Sequence, residues 1–85
     1  MTEEEFDVLD ELYFLQSFTY LEDTLGLSRE KLIQILQQLI NKQWVKVYEN
    51  ATDELSADKL SLSSSEATKY LYLASKEGLL AHNGR

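Results

Sequence analysis

Apolar side chains recur at a helical period from the start of the chain: Phe6, Leu9, Leu12, Tyr13 and Leu15. This spacing predicts a helix over 3–16. Thr2-x-x-Glu5 forms a capping box at its start, in which the hydroxyl and the carboxylate satisfy free backbone amides. Met1 and Phe6 fall at the positions of a hydrophobic staple. Glu4, Asp7, Asp10 and Glu11 make the outer face, and the glutamates near the start suit the positive end of the helix dipole.

Thr19-x-x-Glu22 is a second capping box and predicts a short helix over 20–25, with Leu21 and Leu25 one turn apart. Gly26 ends it, because glycine takes the left-handed conformation without steric cost. Ser28 caps a longer helix over 29–42, where Leu32, Ile33, Ile35, Leu36, Leu39 and Ile40 gather on one side. The β-branched and aromatic run from Trp44 to Glu49 predicts a strand. Residues 50–66 are polar, acidic and serine-rich, and predict a loop in which Leu55, Leu60 and Leu62 either pack locally or form a short extra element. The alternation in 69–73 predicts a second strand, pairing antiparallel with 44–49. Ser75 then caps a last helix over 76–82, with Gly84 beyond it. Ser63-x-x-Glu66 leaves an alternative open, since Ala67, Tyr70, Leu71, Ala74 and Gly78 also fit one helical face. A single helix over 64–82 would make the protein an all-α bundle.

The pattern favours an α+β fold in one domain spanning 1–85. From Leu12 to Leu80 the chain resembles the winged helix-turn-helix superfamily in its MarR-like and ArsR-like bacterial form. Residues 20–32, from Tyr20 through Gly26 and Ser28 to Leu32, look like that family's helix, glycine turn, serine cap and second helix. Leu36 to Val47 looks like the end of the recognition helix running into the first wing strand. Tyr72 to Gly78 looks like the second wing strand and the Leu-Thr-x-x-Gly turn after it. The resemblance implies a three-helix helix-turn-helix core, a two- or three-stranded antiparallel wing and a short C-terminal helix. It also departs from the family in three respects. Gln43 stands where a glycine is usual, so the turn must tolerate a side chain at a cost of about 1 kcal/mol. The loop between the wing strands is long and acidic where DNA-binding relatives carry arginine or lysine. The long flanking helices through which MarR-like proteins dimerise are missing, which leads us to expect a monomer or a weak homodimer.

The resemblance carries a DNA-reading face onto the helix over 29–42. Gln34, Gln37, Gln38 and Asn41 are amides able to pair with adenine in a major groove, Glu30 lies on the same side, and Arg29, Lys31, Lys42 and Lys46 are placed to contact phosphates. The same side chains are also plain soluble helix formers. Charge weighs on the choice. The net charge is −7, and the first 27 residues hold eight acidic side chains and no basic one. Phosphate neutralisation supplies most non-specific DNA affinity, so a protein partner, itself basic, is favoured over DNA. The expected function is a non-enzymatic regulatory module working by protein–protein interaction, with a DNA-binding transcription regulator as the alternative.

Catalysis finds little support. His82 is the only histidine and is expected to cap the last helix. Ser63, Ser64 and Ser65 lack a neighbouring base in sequence, and Asp53, Glu54 and Asp58 do not match a calcium-loop spacing. There is no cysteine, and the three glycines, Gly26, Gly78 and Gly84, make no phosphate-binding loop. No cofactor or metal is expected. An acidic N-terminus without a long apolar run argues against a signal peptide or a membrane span, and for the cytoplasm.

Overall fold

The computed structural model describes residues 1–58 and 60–84. In chain order its elements are α1 (Glu3–Glu11), β1 (Gln16–Ser17), α2 (Phe18–Leu25), α3 (Arg29–Asn41), β2 (Val45–Tyr48), β3 (Glu54–Leu55), α4 (Ser64–Ala67), β4 (Leu71–Ala74) and α5 (Lys76–Asn83). The result is a mixed α+β fold, with five helices and one antiparallel four-stranded sheet of order β1-β4-β2-β3 among the described residues. None of these helices is long and apolar enough to cross a membrane.

The predicted pairing of the two long strands is present, with Val45 opposite Ala74 and Val47 opposite Tyr72. Alternation sets which face is inward: Val45, Val47, Tyr72 and Ala74 are buried, while Lys46, Tyr48, Leu71 and Leu73 face outward. The single-helix alternative over 64–82 is therefore overturned. Ser63 does cap a helix, its hydroxyl accepting the Glu66 amide, but α4 lasts one turn before the chain extends into β4. Extension places Tyr72 in the core, where its hydroxyl donates to the Ala67 carbonyl at 2.7 Å. Burial pushes that phenol well above its usual range.

Besides shifts of one or two residues at other ends, such as β4 at Leu71–Ala74 where the alternation predicts 69–73, two helix boundaries differ from the sequence pattern and one strand is added. The first helix ends at Glu11, not near 16, because Leu12 turns out of it. Its N–H returns to Leu9 O, and its carbonyl accepts the Ala74 amide at 2.9 Å. Gln16 and Ser17 then pair with Tyr72 and Leu71, adding a strand that the helical spacing of Leu12 and Leu15 concealed. Tyr13 consequently lies in a turn and not on a helix. The second helix starts at Phe18, capped by Ser17 and not by Thr19, with the Ser17 hydroxyl accepting the Tyr20 amide. That start puts Phe18 and Leu21 on one buried face.

The segment 50–66 is not one loop. Asn50 Oδ1 accepts the Thr52 and Asp53 amides, making a tight turn that returns the chain as β3 against β2. Leu55, Leu60 and Leu62 pack against the core, so the local-packing expectation holds. At the other end of β2, Gln43 has φ +63°. A side chain other than glycine is thus held in the left-handed region at this turn. Gly26 and the Ser28 and Ser75 caps also stand where the sequence puts them.

The core is one cluster beneath the sheet: Leu9 and Leu12 from the α1 end, Phe18 and Leu21 from α2, Leu32, Leu36 and Leu39 from α3, and Val47 and Tyr72 from the sheet.

Candidate binding face on the third helix

α3 begins at Ser28, whose hydroxyl accepts the Lys31 amide. Leu32, Ile35, Leu36, Leu39 and Ile40 are buried, and this fixes which residues look outward: Glu30, Gln34, Gln38 and Asn41, with Gln37 at the edge. The structure thus brings eight of the nine sequence-selected residues onto one helix and its cap. Lys46 stands apart, on the outward face of β2 opposite Leu73.

Three of the four cations assigned to phosphate, all but Lys46, are already paired. Arg29 meets Glu22 of α2 through two nitrogens, at 3.2 and 3.3 Å, and its guanidinium lies 5.9 Å from the Phe18 ring centroid. Lys31 Nζ pairs with Glu4 at 3.2 Å. Lys42 Nζ lies 2.8 Å from Glu5 Oε2 and 4.7 Å from the Trp44 ring centroid. Exposed pairs such as the first two contribute little stability, but they do lower the net charge that the face presents.

The Glu5–Lys42 pair is of another kind, because the Glu5 side chain is only 2% exposed. Burial pushes the Glu5 carboxyl up, while Lys42 and the Thr2 amide pull it down and prevail, leaving it below the ordinary carboxylate value. The capping box of α1 thus doubles as a tie to the C-terminal end of α3.

Two of the four amides are also occupied. Gln37 Oε1 accepts the Leu62 amide at 2.8 Å, and its Nε2 donates to Leu60 O at 3.1 Å and to Asn41 Oδ1 at 3.0 Å. Gln37 therefore binds the backbone at Leu60 and Leu62 much as a strand neighbour would, and holds these two residues against the C-terminal half of α3. Asp58 lines a shallow groove there with Ile40, Asn41, Gln43 and Ala57. Among the described residues, the exposed side chains of α3 without a partner are Glu30, Gln34 and Gln38, two neutral amides and one carboxylate, while Arg29, Lys31, Asn41 and Lys42 keep their partners at the surface. A second open groove, lined by Leu55, Ser56, Asp58, Leu60 and Tyr70, lies on the sheet side.

The sequence reading missed a cluster at the far end of α1. His82 does not cap α5, which is closed at Gly84. Its ring instead stacks on Phe6 at 4.2 Å between centroids, with Nδ1 2.8 Å from the Tyr13 hydroxyl and Nε2 3.2 Å from Asp10 Oδ1. The Tyr13 hydroxyl also donates to Asn83 Oδ1 at 2.7 Å. These partners lie about seventy positions apart in sequence (69 and 70), so no local spacing signals them. No protein-family model, curated protein or solved structure matches the chain.

Proposed function

We propose that this chain is a winged-helix module that acts without catalysis by docking to a protein partner. The order α1, β1, α2, α3, then β2 and β4 with β4 between β1 and β2, supports the winged-helix part of this reading. In it, α3 is the recognition helix and the β2–β3 hairpin opens the wing. The observation that carries the functional part is the internal pairing of Arg29, Lys31 and Lys42 with Glu22, Glu4 and Glu5. DNA affinity comes largely from counterions released as cations meet phosphates. Here a contact by Arg29, Lys31 or Lys42 must first break an existing ion pair, and with Lys42 it would strand a buried carboxylate. Asp58 and the bound Gln37 further reduce what α3 offers to a groove. A cytoplasmic regulatory protein, monomeric or weakly dimeric, accords with this reading.

The test is a salt-dependent titration against mixed-sequence duplex DNA, read by fluorescence anisotropy. The expected result is no saturable binding at physiological ionic strength. Submicromolar binding there, lost in the double variant Arg29→Glu, Lys31→Glu, would refute the proposal and make the protein a DNA-binding transcription regulator.

A further inference from the structure

Of the large exposed apolar side chains among the described residues, all but Met1 lie near the end of α1 or are tied to it. Tyr13, Phe14 and Tyr20 follow the end of α1 closely, and Phe14 is 76% exposed. Leu80, 62% exposed, sits one turn before Asn83, the residue that accepts the Tyr13 hydroxyl. Single exposed apolar residues are ordinary, but a group of them on one end of a small domain is a mark of an interaction surface. Each tyrosine is also held. Tyr13 is fixed by His82 and Asn83 of α5, and the Tyr20 hydroxyl donates to Glu11 at 2.8 Å. The turn that carries Phe14 is pinned by the Leu12 carbonyl on Ala74 and by the β1–β4 pairing. Rings fixed before binding lose little freedom on association.

The surrounding charge says what fits. Asp10, 58% exposed, faces His82 Nε2 at 3.2 Å, and Glu11 accepts the Tyr20 hydroxyl; both border the aromatics, and the first 27 residues contain no lysine or arginine to offset them. A second copy of the chain would bring the same carboxylates together. It would also lack free cations on α3 to answer them, since Arg29, Lys31 and Lys42 are paired.

We infer that the end of α1, with Tyr13, Phe14, Tyr20 and Leu80 rimmed by Asp10 and Glu11, is the docking surface for a cationic, apolar-anchored segment of another protein. This rests on the protein-docking reading above and gives it a place and a chemistry. Phe14 and Leu80 enter the partner's apolar side chains. The carboxylates and the tyrosine faces receive its lysines or arginines, through charge and cation–π attraction. No residue of α3 belongs to this surface, so the family's usual binding helix is not required.

The experiment is an amide-resolved NMR titration of the full chain with a synthetic peptide alternating Leu with Lys and Arg, and with a control peptide carrying Glu at each basic position. The cationic peptide should shift residues 10–20 and 80–83, and do so less as salt rises. The Glu peptide should shift nothing. Phe14→Ser and Leu80→Ser remove exposed side chains, should leave the melting temperature unchanged, and should each weaken binding about tenfold, the scale of losing an anchor residue. Shifts confined to other faces, equal response to the Glu peptide, or undiminished affinity in both variants would overturn the assignment. A concentration-dependent dimer abolished by Phe14→Ser would overturn it too, in favour of self-association. DNA binding through α3 would instead refute the docking reading, while failure of the peptide alone would leave that reading standing and remove only this surface.

Discussion

Gly78→Ala is the substitution whose cost the structure specifies most closely. Gly78 lies in the first turn of α5, packed directly on the start of β2. A Cβ built there would overlap the Trp44 carbonyl oxygen and stand 2.9 Å from its carbonyl carbon and 3.1 Å from its Cα. These are backbone atoms already held on both sides. Trp44 O accepts the Ser75 amide at 2.9 Å, and Trp44 N donates to Leu39 O at 2.9 Å. Neither can yield alone, so α5 must move away as a unit. That movement strains the Ser75 contacts, in which the hydroxyl donates to Gln43 O at 2.7 Å and accepts from Gly78 N at 3.0 Å. Overpacking a tight contact costs about 1–3 kcal/mol, and each weakened buried hydrogen bond adds about 1 kcal/mol. Alanine's better helix propensity returns about 1 kcal/mol.

The net expectation is a loss of about 2–4 kcal/mol, a large share of the roughly 5–15 kcal/mol typical of a folded protein. At about 4–8 °C per kcal/mol for a domain of this size, the melting temperature should fall by roughly 10–30 °C. Circular dichroism melts of Gly78→Ala and Glu77→Ala measure it. Glu77 is exposed on the same helix and reports propensity without the clash. A Gly78→Ala melting temperature at or above the wild-type value would mean that propensity dominates and that α5 does not press on β2 as described.

Gln37→Ala should release the backbone at Leu60 and Leu62 from α3, raising hydrogen exchange at the Leu62 amide and lowering stability by about 1–3 kcal/mol; unchanged exchange at Leu62 would show the tie to be idle. The Glu5 carboxyl is held below the ordinary carboxylate value, so its contribution is present above that value and is lost as pH falls through the lower, folded-state value. Lys42→Ala should therefore destabilise the protein by about 1–3 kcal/mol at neutral pH and flatten the acid side of the stability profile; a parallel profile, read from denaturant midpoints across pH, would contradict this. Gln43→Gly should raise stability by about 0.5–1 kcal/mol, since relief at φ +63° exceeds the entropy glycine adds to the unfolded chain; a loss would mean that the Gln43 side chain makes contacts that outweigh its strain.

Much of the fold is written in short-range signals. Ser28, Ser63 and Ser75 each cap a helix through their own hydroxyl, and Gly26 takes the left-handed turn, because capping is decided within a few residues. The alternation of 71–74 against 45–48 was equally legible, since one buried face admits one register. What misled was periodicity where two structures share a pattern. Leu12 is buried whether it continues a helix or turns into a strand, and only its carbonyl's bond to the Ala74 amide, sixty-two positions away, decides between them. Thr19 and Ser17 both offer caps, and the burial of Phe18, a tertiary matter, selects Ser17.

The candidate site was legible in membership but not in meaning. Helical spacing put Arg29, Glu30, Lys31, Gln34, Gln37, Gln38 and Asn41 on the outside of one helix, and they are there. Spacing does not report that Glu22, Glu4 and Glu5 arrive from two other helices to meet the cations, or that the backbone of Leu60 and Leu62 arrives to meet Gln37. The acidic excess of the first 27 residues, read from the sequence as a surface, is in part the inventory that neutralises α3. This changes the meaning of the carboxylates left over. With Glu4, Glu5 and Glu22 paired to α3, Asp10 and Glu11 stand beside the aromatics at the end of α1, where they meet the His82 ring and the Tyr20 hydroxyl and where no lysine or arginine among the described residues pairs with them. One charge asymmetry thus quiets the helix that the fold resemblance would send into DNA and leaves a second surface, aromatic and anionic, open to a basic partner.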